Sequence, residues 1–157
     1  MDRFSGAVRY YAVLHSQHNN YRNYRENEMN KEVKKMKTEV KIKWLTALRS
    51  GEYKQGKGQL CNDGRFCCLG VLTDIAVKEG IGEWSSPEGI YWSGYRWTGT
   101  ELPIRVAEWA GGLYPDPTVS LDPKGAKGTF GGRTTLSALN DKGVSFSNIA
   151  DLIEAQL

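Results

Sequence analysis

The stretch from Trp44 to Ala76, WLTALRSGEYKQGKGQLCNDGRFCCLGVLTDIA, constrains the fold more than any other part of the chain. Its apolar residues first follow one stripe of a helix, with Gly51 as the expected helix stop. The stripe consists of Val40, Trp44, Leu45 and Leu48. Asp63-Gly64 then signals a tight hairpin, which should pair Cys61 with Phe66. The hairpin leads into a second amphipathic helix, which Gly80 closes.

The order of these elements predicts the fold class. Helices and hairpins follow one another without the βαβ alternation that produces a parallel sheet. The sequence therefore predicts an α+β fold, in which short antiparallel hairpins pack with about four or five helices. A chain of 157 residues is long enough for one domain with a buried core.

Charge divides the chain unevenly. Residues 1–57 hold 13 Lys+Arg and 6 Asp+Glu, a balance of +7, whereas the remainder holds 8 and 12, a balance of −4. Residues 1–35 are also poor in apolar side chains, so we predict a basic, flexible N-terminal extension before a single domain at 36–157. Tyrosine and arginine alternate in the extension, which suits single-stranded nucleic acid, but a solvated tail has the same composition.

Composition favours the cytoplasm over a membrane or a secretory route. No apolar run is long enough to span a bilayer, and no secretory signal follows the start. Three cysteines, two of them adjacent as Cys67 and Cys68, make a poor disulfide framework. We therefore expect reduced thiols in a reducing compartment.

The loop after Gly51 is the first candidate anion site. Lys54 and Lys57 alternate with glycines whose backbone N–H groups can surround an anion, and Tyr53 lies beside them. The segment GEYKQGKG approaches the phosphate-binding P-loop pattern, but Gly58 stands where Ser or Thr is required and the loop follows a helix. A solvated loop is the alternative interpretation.

The second half of the chain contains an aromatic hairpin signal, GIYWSGYRWTG. A turn at Ser93-Gly94 would place Tyr91 opposite Arg96 on one face, where an aromatic ring and a cation can hold a nucleotide base. The other face, with Ile90, Trp92, Tyr95 and Trp97, is expected to join the core. A plain sheet surface explains Tyr91 and Arg96 equally well.

A second candidate anion site precedes the predicted helix Leu136 to Asp141. Pro103 opens a helix that stops at Gly111, and residues 113–132 are expected to form a long irregular loop. The loop ends in two glycines followed by Arg133, Thr134 and Thr135, which would bring free N–H groups and a cation to a helix N-terminus. An ordinary helix cap is the alternative. Ser145 is expected to cap a final helix.

No catalytic residue, metal site or cofactor is predicted. Both histidines, His15 and His18, lie in the extension, away from the cysteines that would need a base. The cysteines also lack C-x-x-C spacing. The protein is therefore expected not to be an enzyme.

Three motifs carry a family resemblance: YKQGKG, FCCLGVL and LNDKGVSFSNIADLIE. Together they resemble a group of small proteins encoded by tailed bacteriophages and prophages, over roughly residues 36–157. The resemblance implies a phage accessory protein made in the cytoplasm of a bacterial host, and it brings no activity with it.

These observations yield one leading hypothesis and several alternatives. The leading hypothesis is sequestration of a small anionic nucleotide-like ligand, such as a host defence signal. Its binding residues would be Tyr53, Lys54, Lys57, Tyr91, Arg96, Arg133, Thr134 and Thr135. The alternatives are inhibition of a host protein through the aromatic hairpin, non-specific nucleic-acid binding through the extension, or an enzyme acting on the same nucleotide. No membrane partner is expected, and the sequence does not indicate an oligomeric state.

Overall fold

Helices form wherever the sequence repeats apolar residues at helical spacing. A computed structural model describes residues 35–84, 91–92, 99–121 and 132–157. Five helices lie within these residues: α1 (Thr38–Ser50), α2 (Cys68–Lys78), α3 (Ile104–Trp109), α4 (Leu136–Asp141) and α5 (Phe146–Gln156). Gly51 ends α1 in the left-handed conformation, and the side chains of Thr135 and Ser145 cap α4 and α5. Each of these boundaries agrees with the sequence prediction.

Short strands connect the helices. They are β1 (Lys54–Gln55), β2 (Cys61–Asn62), β3 (Arg65–Phe66), β4 (Glu83–Trp84), β5 (Tyr91–Trp92), β6 (Thr118–Ser120) and β7 (Arg133–Thr135). They form a three-stranded sheet of order β1-β3-β2 and two antiparallel pairs, β4-β5 and β6-β7. The predicted α+β fold is confirmed.

The core is built around α2. This helix is apolar on nearly every side, as expected for a helix that other elements surround. The fully buried Trp44 of α1 packs against it and donates a hydrogen bond from Nε1 to the Cys68 carbonyl at 2.9 Å. Helix α5 supplies its predicted buried stripe of Phe146, Ile149, Ala150 and Ile153.

Helix α2 lies directly on the backbone of Leu60, the residue before β2. A Cβ atom on Gly70 would lie 1.7 Å from the carbonyl oxygen of the buried Leu60. Only glycine therefore allows the helix to lie directly on this backbone. The requirement for glycine at position 70 follows from this contact with Leu60 and not from the local sequence.

The Asp63-Gly64 hairpin is confirmed, with Cys61 opposite Phe66. Both turn residues have positive φ, 49° and 70°, as a primed turn requires. The parallel pairing of β1 with β3 was not predicted, because it joins the lysine-glycine segment to a strand that follows it in the chain. The segment after Gly51 is therefore partly a strand.

Two other regions differ from the sequence prediction. The segment 113–132, expected to be irregular, contains β6, which pairs with β7 in the register Val119 to Thr134. Strand β5 (Tyr91–Trp92) pairs with β4, which precedes it in the chain. The motif GIYWSGYRWTG did not predict this pairing. The predicted turn at Ser93-Gly94 lies outside the described residues.

Candidate functional site

Four exposed cations lie on the paired strands β1 and β3, on the loop after β1 and on the α4–α5 turn. We call this surface the basic edge, and it consists of Lys54, Lys57, Arg65 and Lys142. Lys54 and Arg65 are direct partners in the parallel β1-β3 pair, so their side chains leave the same face of neighbouring strands, which lie about 4.8 Å apart. A Cβ atom on Gly56 would lie 2.9 Å from the Cβ of Arg65. The glycine thus leaves room for the arginine side chain.

The basic edge continues onto the turn between α4 and α5. The Nζ atom of Lys57 lies 3.5 Å from the position that a Cβ on Gly143 would occupy. Lys142 directly precedes that glycine and is exposed. The cations are thus held by three different parts of the chain: β1 with its following loop, β3, and the α4–α5 turn.

Three cations on helices α1 and α2 have acidic partners, which the cations of the basic edge lack among the described residues. Lys43 pairs with Glu79, Arg49 with Asp151 and Glu154, and Lys78 with Asp74. Within the described part of the chain, no cation of the basic edge forms an ion pair. Their positive charge remains available to an external anion.

Three acidic residues lie near this surface. Asp141 adjoins it, and its Oδ1 atom accepts a hydrogen bond from the Gly58 backbone N–H at 2.9 Å. Asp63 is exposed in the hairpin turn. Glu52, exposed two residues before Lys54, adds a third negative charge, so four positive charges stand against three negative ones.

The buried side chain of Asn140 fixes the loop that carries Lys54 and Lys57. Its Oδ1 accepts hydrogen bonds from Gln55 Nε2 at 3.1 Å and from the Cys68 backbone N–H at 3.2 Å. Its Nδ2 donates to the Gly56 carbonyl at 2.7 Å. One fully buried amide thus ties β1 to the first turn of α2 and to the end of α4.

These contacts show which part of the YKQGKG motif serves the fold. Gln55 also donates from Nε2 to the Val144 carbonyl at 2.8 Å, and the Gly56 N–H donates to Phe66 at 2.7 Å. The loop N–H groups of Gly56 and Gly58 are therefore satisfied within the chain and do not surround an anion. Sequence reasoning missed Asn140 and Gln55, because a buried asparagine at a helix end looks like an ordinary stop signal.

The second predicted anion site is already occupied by a residue of the chain. The carboxylate of Asp116 accepts hydrogen bonds from the backbone N–H and the hydroxyl of Ser137, in the first turn of α4. Thr135 caps the same turn by accepting from the Ala138 N–H at 3.2 Å. The N-terminus of α4 therefore has an internal anion, which the sequence could not place because Asp116 comes from the predicted loop.

Arg133 and Lys57 belong to opposite ends of α4. Arg133 is exposed in β7, before the start of α4, whereas Lys57 lies at Gly143, beyond the end of α4. The six residues of α4 separate these positions by about 9 Å along the helix axis. The joint cradle of Lys57, Arg133, Thr134 and Thr135 stays a prediction, with its members at the two ends of this helix.

Tyr53 belongs to a different cluster, centred on Asp74. The Asp74 carboxylate accepts hydrogen bonds from the Tyr53 hydroxyl at 2.6 Å and from Trp84 Nε1 at 3.0 Å, and it pairs with Lys78 at 2.9 Å. The Tyr53 ring packs edge-on against Phe66, with ring centroids 5.2 Å apart. Strand alternation puts this Asp74 cluster on the face of β1 opposite to Lys54.

The Asp74 cluster holds its aromatic residues in fixed positions. The Tyr53 hydroxyl also accepts from Lys78, whose ammonium lies 5.2 Å from the centre of the tyrosine ring. Tyr53 is therefore engaged on its ring and its hydroxyl, away from the cations of the basic edge. Tyr91, in β5, pairs through its backbone with Trp84 of β4. Arg96 lies outside the described residues.

The Asp74 cluster shifts the titration of its members. Burial acts to raise the pKa of Asp74, but hydrogen bonds from Tyr53, Lys78 and Trp84 outweigh it and lower the pKa below its ordinary 3.8. Burial and the bond to Asp74 raise the pKa of Tyr53. The bonds to Tyr53 and Asp74 raise the pKa of Lys78. At neutral pH the cluster is thus a carboxylate with two hydrogen-bond donors and an ammonium group.

The lowered pKa of Asp74 makes a prediction about acid stability. A carboxyl whose folded pKa lies below its unfolded pKa stabilises the fold above the unfolded value, and that stabilisation is lost as pH falls from about 3.8 through the folded pKa. We expect Asp74→Asn to reduce the free energy of unfolding by roughly 1–2 kcal/mol at pH 7, and by less at pH 3. Urea unfolding at both pH values measures this difference.

Asp151→Asn is the matched control, because this carboxylate pairs with Arg49 at the surface and 65% of its side chain is exposed. Its effect at pH 7 should stay within about 0.5 kcal/mol. An Asp74→Asn protein as stable as the wild type at pH 7 would show that the cluster contributes nothing to folding.

The cysteines are buried, free thiols, as expected of small hydrophobic residues at a strand–helix junction. Burial raises the pKa of Cys67 to about 11, and it also raises the pKa of Cys61 and of Cys68. Cys67 instead accepts a hydrogen bond from the Gly70 N–H and caps α2. Protonated, buried thiols of this kind are poor nucleophiles.

The described residues also bear on metal binding and on membrane crossing. Within those residues, no group of three or more His, Cys, Asp or Glu side chains is placed to hold a metal ion. Among the five helices described above, none is both long enough and apolar enough to cross a membrane.

Comparison with known proteins gives one match. A family model described as a domain of unknown function (DUF8296) matches residues 36–157. No curated protein and no solved structure matches the chain.

Proposed function

The chain belongs to the family described as a domain of unknown function (DUF8296), and we propose that this member is a non-enzymatic protein that binds phosphate-bearing anions at the basic edge. One observation carries the proposal: four exposed cations on neighbouring elements form no ion pair with a described residue, whereas the cations that contact acidic side chains lie on α1 and α2. Guanidinium and ammonium groups are the usual protein partners of phosphate.

The basic edge includes Lys54 and Lys57 of the predicted site. Its other two cations differ from the predicted ones. Arg65 and Lys142 lie beside these lysines, whereas Arg133 lies at the other end of α4. A nucleotide base would not stack on Tyr53, because that ring packs with Phe66 on the opposite face of β1. The proposed recognition is therefore of phosphate rather than of a base.

The proposal is compatible with the prediction that the protein has no catalytic activity. The described thiols have raised pKa values, so none is poised as a nucleophile. That the protein comes from a phage and captures a host defence signal stays a prediction. The aromatic hairpin and the basic extension also stay predictions as binding surfaces, since residues 93–98 and 1–34 lie outside the described part of the chain.

Isothermal titration of the full chain with ATP, ADP-ribose, a cyclic dinucleotide and long-chain inorganic polyphosphate tests the proposal. We expect binding of at least the polyphosphate. Each cation of the basic edge replaced by glutamine should reduce affinity about fivefold, from roughly 1 kcal/mol for an exposed charge pair. The combined replacement of Lys54, Lys57, Arg65 and Lys142 should reduce it several hundredfold.

Arg105→Gln is the matched control, because Arg105 is an exposed cation on α3 without an ion pair to a described residue. Its affinity should equal that of the wild type. Arg133→Gln separates the proposed site from the one predicted from sequence and should also have no effect. Absence of heat with all four ligands, or equal binding by the fourfold variant, would refute the proposed function.

A further inference from the structure

We infer that the ligand of the basic edge is an extended polyanion, the phosphate backbone of double-stranded nucleic acid, bound without regard to base sequence. This inference rests on the proposed function and names its ligand class. It follows from three features of the basic edge: the arrangement of its cations, their exposure, and the position of the aromatic residues nearest to them.

The cations are spread over several elements of the fold rather than gathered on one. Lys54 and Arg65 stand side by side on adjacent strands, and Lys57 extends from the end of β1 to Gly143 on the α4–α5 turn, where Lys142 follows. A single phosphate group contacts cations that converge on one point. Cations distributed over two strands and a turn instead suit negative charges that are themselves distributed along a polymer.

The basic edge is open to solvent. Lys54, Lys57, Arg65 and Lys142 are all exposed, and no atom lies within 4 Å of the Cβ position of Gly58 in the middle of the surface. Sites for small molecules bury most of their ligand in a concave pocket. Exposed cationic side chains instead suit a ligand that remains largely solvated and is held by its charge.

The neighbouring aromatic residues point away from this surface. Proteins that bind single strands without sequence preference stack bases on aromatic side chains beside a basic groove. The described aromatic residues nearest to this surface are Tyr53, just before β1, and Phe66, in β3. They contact each other on the face opposite to Lys54. Contacts to phosphate without base stacking favour a duplex, whose bases are already stacked and whose charge density is higher.

Fluorescence anisotropy of the full chain with a labelled 20-base-pair duplex at 50–200 mM salt tests this inference. Four phosphate contacts should give a slope of log K against log salt of about −3 to −4. Each single replacement, such as Lys57→Gln or Arg65→Gln, should make the slope shallower by about 1. Duplexes of unrelated sequence should bind with equal affinity, and the single strand of the same length should bind more weakly.

The controls identify which surface acts. Arg105→Gln should leave both affinity and slope unchanged. Residues 1–34 carry six Lys+Arg and four Asp+Glu, so a net +2 remains in every variant. An unchanged slope after all four replacements would assign the binding to that segment or another surface and would overturn both the inference and the proposed function.

Other outcomes overturn the inference alone. If ATP and the duplex bind with the same affinity and the same salt slope, and both lose affinity in Arg65→Gln, the basic edge is a site for one phosphate group. Tighter binding of the single strand than of the duplex would likewise exclude duplex recognition. In both cases binding of phosphate at the basic edge would still stand.

Discussion

Asn140→Ala is expected to lower the free energy of unfolding by about 3–5 kcal/mol, among the largest effects of any single polar substitution in this domain. The asparagine side chain is fully buried and serves Gln55, Gly56 and Cys68 at once. Its removal leaves the Gly56 carbonyl and the Cys68 N–H without this partner and takes one of the two hydrogen bonds of the Gln55 amide, at a cost of roughly 1–3 kcal/mol for each group that stays dry. Urea unfolding followed by tryptophan fluorescence measures the loss.

Two further variants isolate the cause. Asn140→Leu keeps the branched heavy-atom shape of the side chain and should be at least as destabilising as alanine, because the hydrogen-bonding groups of the neighbours remain unsatisfied. Asn148→Ala, at an exposed position of α5, should change stability by less than about 0.5 kcal/mol. A leucine variant as stable as the wild type would mean that Asn140 matters for its size and not for its hydrogen bonds.

Gly70→Ala is expected to destabilise the domain by at least about 3 kcal/mol, although it replaces glycine inside a helix. Helix propensity alone predicts a gain of about 1 kcal/mol for this change. The added methyl group would lie 1.7 Å from the Leu60 carbonyl oxygen, so the helix or the strand backbone has to move within a packed core. Thermal unfolding measures the change, and a failure to accumulate folded protein is the stronger form of the same result.

Thr46→Ala supplies the matched control, because Thr46 is exposed on α1 and alanine should increase stability slightly through propensity. The two alanine substitutions should change stability in opposite directions, which separates the effect of helix propensity from that of close packing. A Gly70→Ala protein more stable than the wild type would show that α2 does not lie against Leu60 as described.

Local signals in the sequence predicted the local structure. Asp63-Gly64 specified the hairpin and its register because two residues with positive φ fix a primed turn, and Thr135 and Ser145 specified helix starts through their own side chains. These features depend on residues close together in the chain, where spacing and side-chain type decide the geometry. The α+β class followed from their order.

Long-range contacts escaped prediction for the same reason. Asp116 occupies the start of α4 from 21 residues away, and Asn140 reaches Gln55 across 85 residues. No local pattern encodes either contact, so the predicted site at Thr134 and Thr135 looked open to an anion. The pairing of β1 with β3 was similarly invisible, although it alone brings Arg65 beside Lys54.

The attachment of the lysine-glycine loop has a consequence for selectivity. Hydrogen bonds at Gln55, Gly56 and Gly58 hold the loop backbone at three places, so Lys54 and Lys57 leave it from fixed starting points. The surface therefore holds the bases of these side chains at a fixed spacing, although the exposed lysine stems can still rotate. It should rank polyanions by how well the intervals between their negative groups match its own, so two polymers of equal total charge would be told apart.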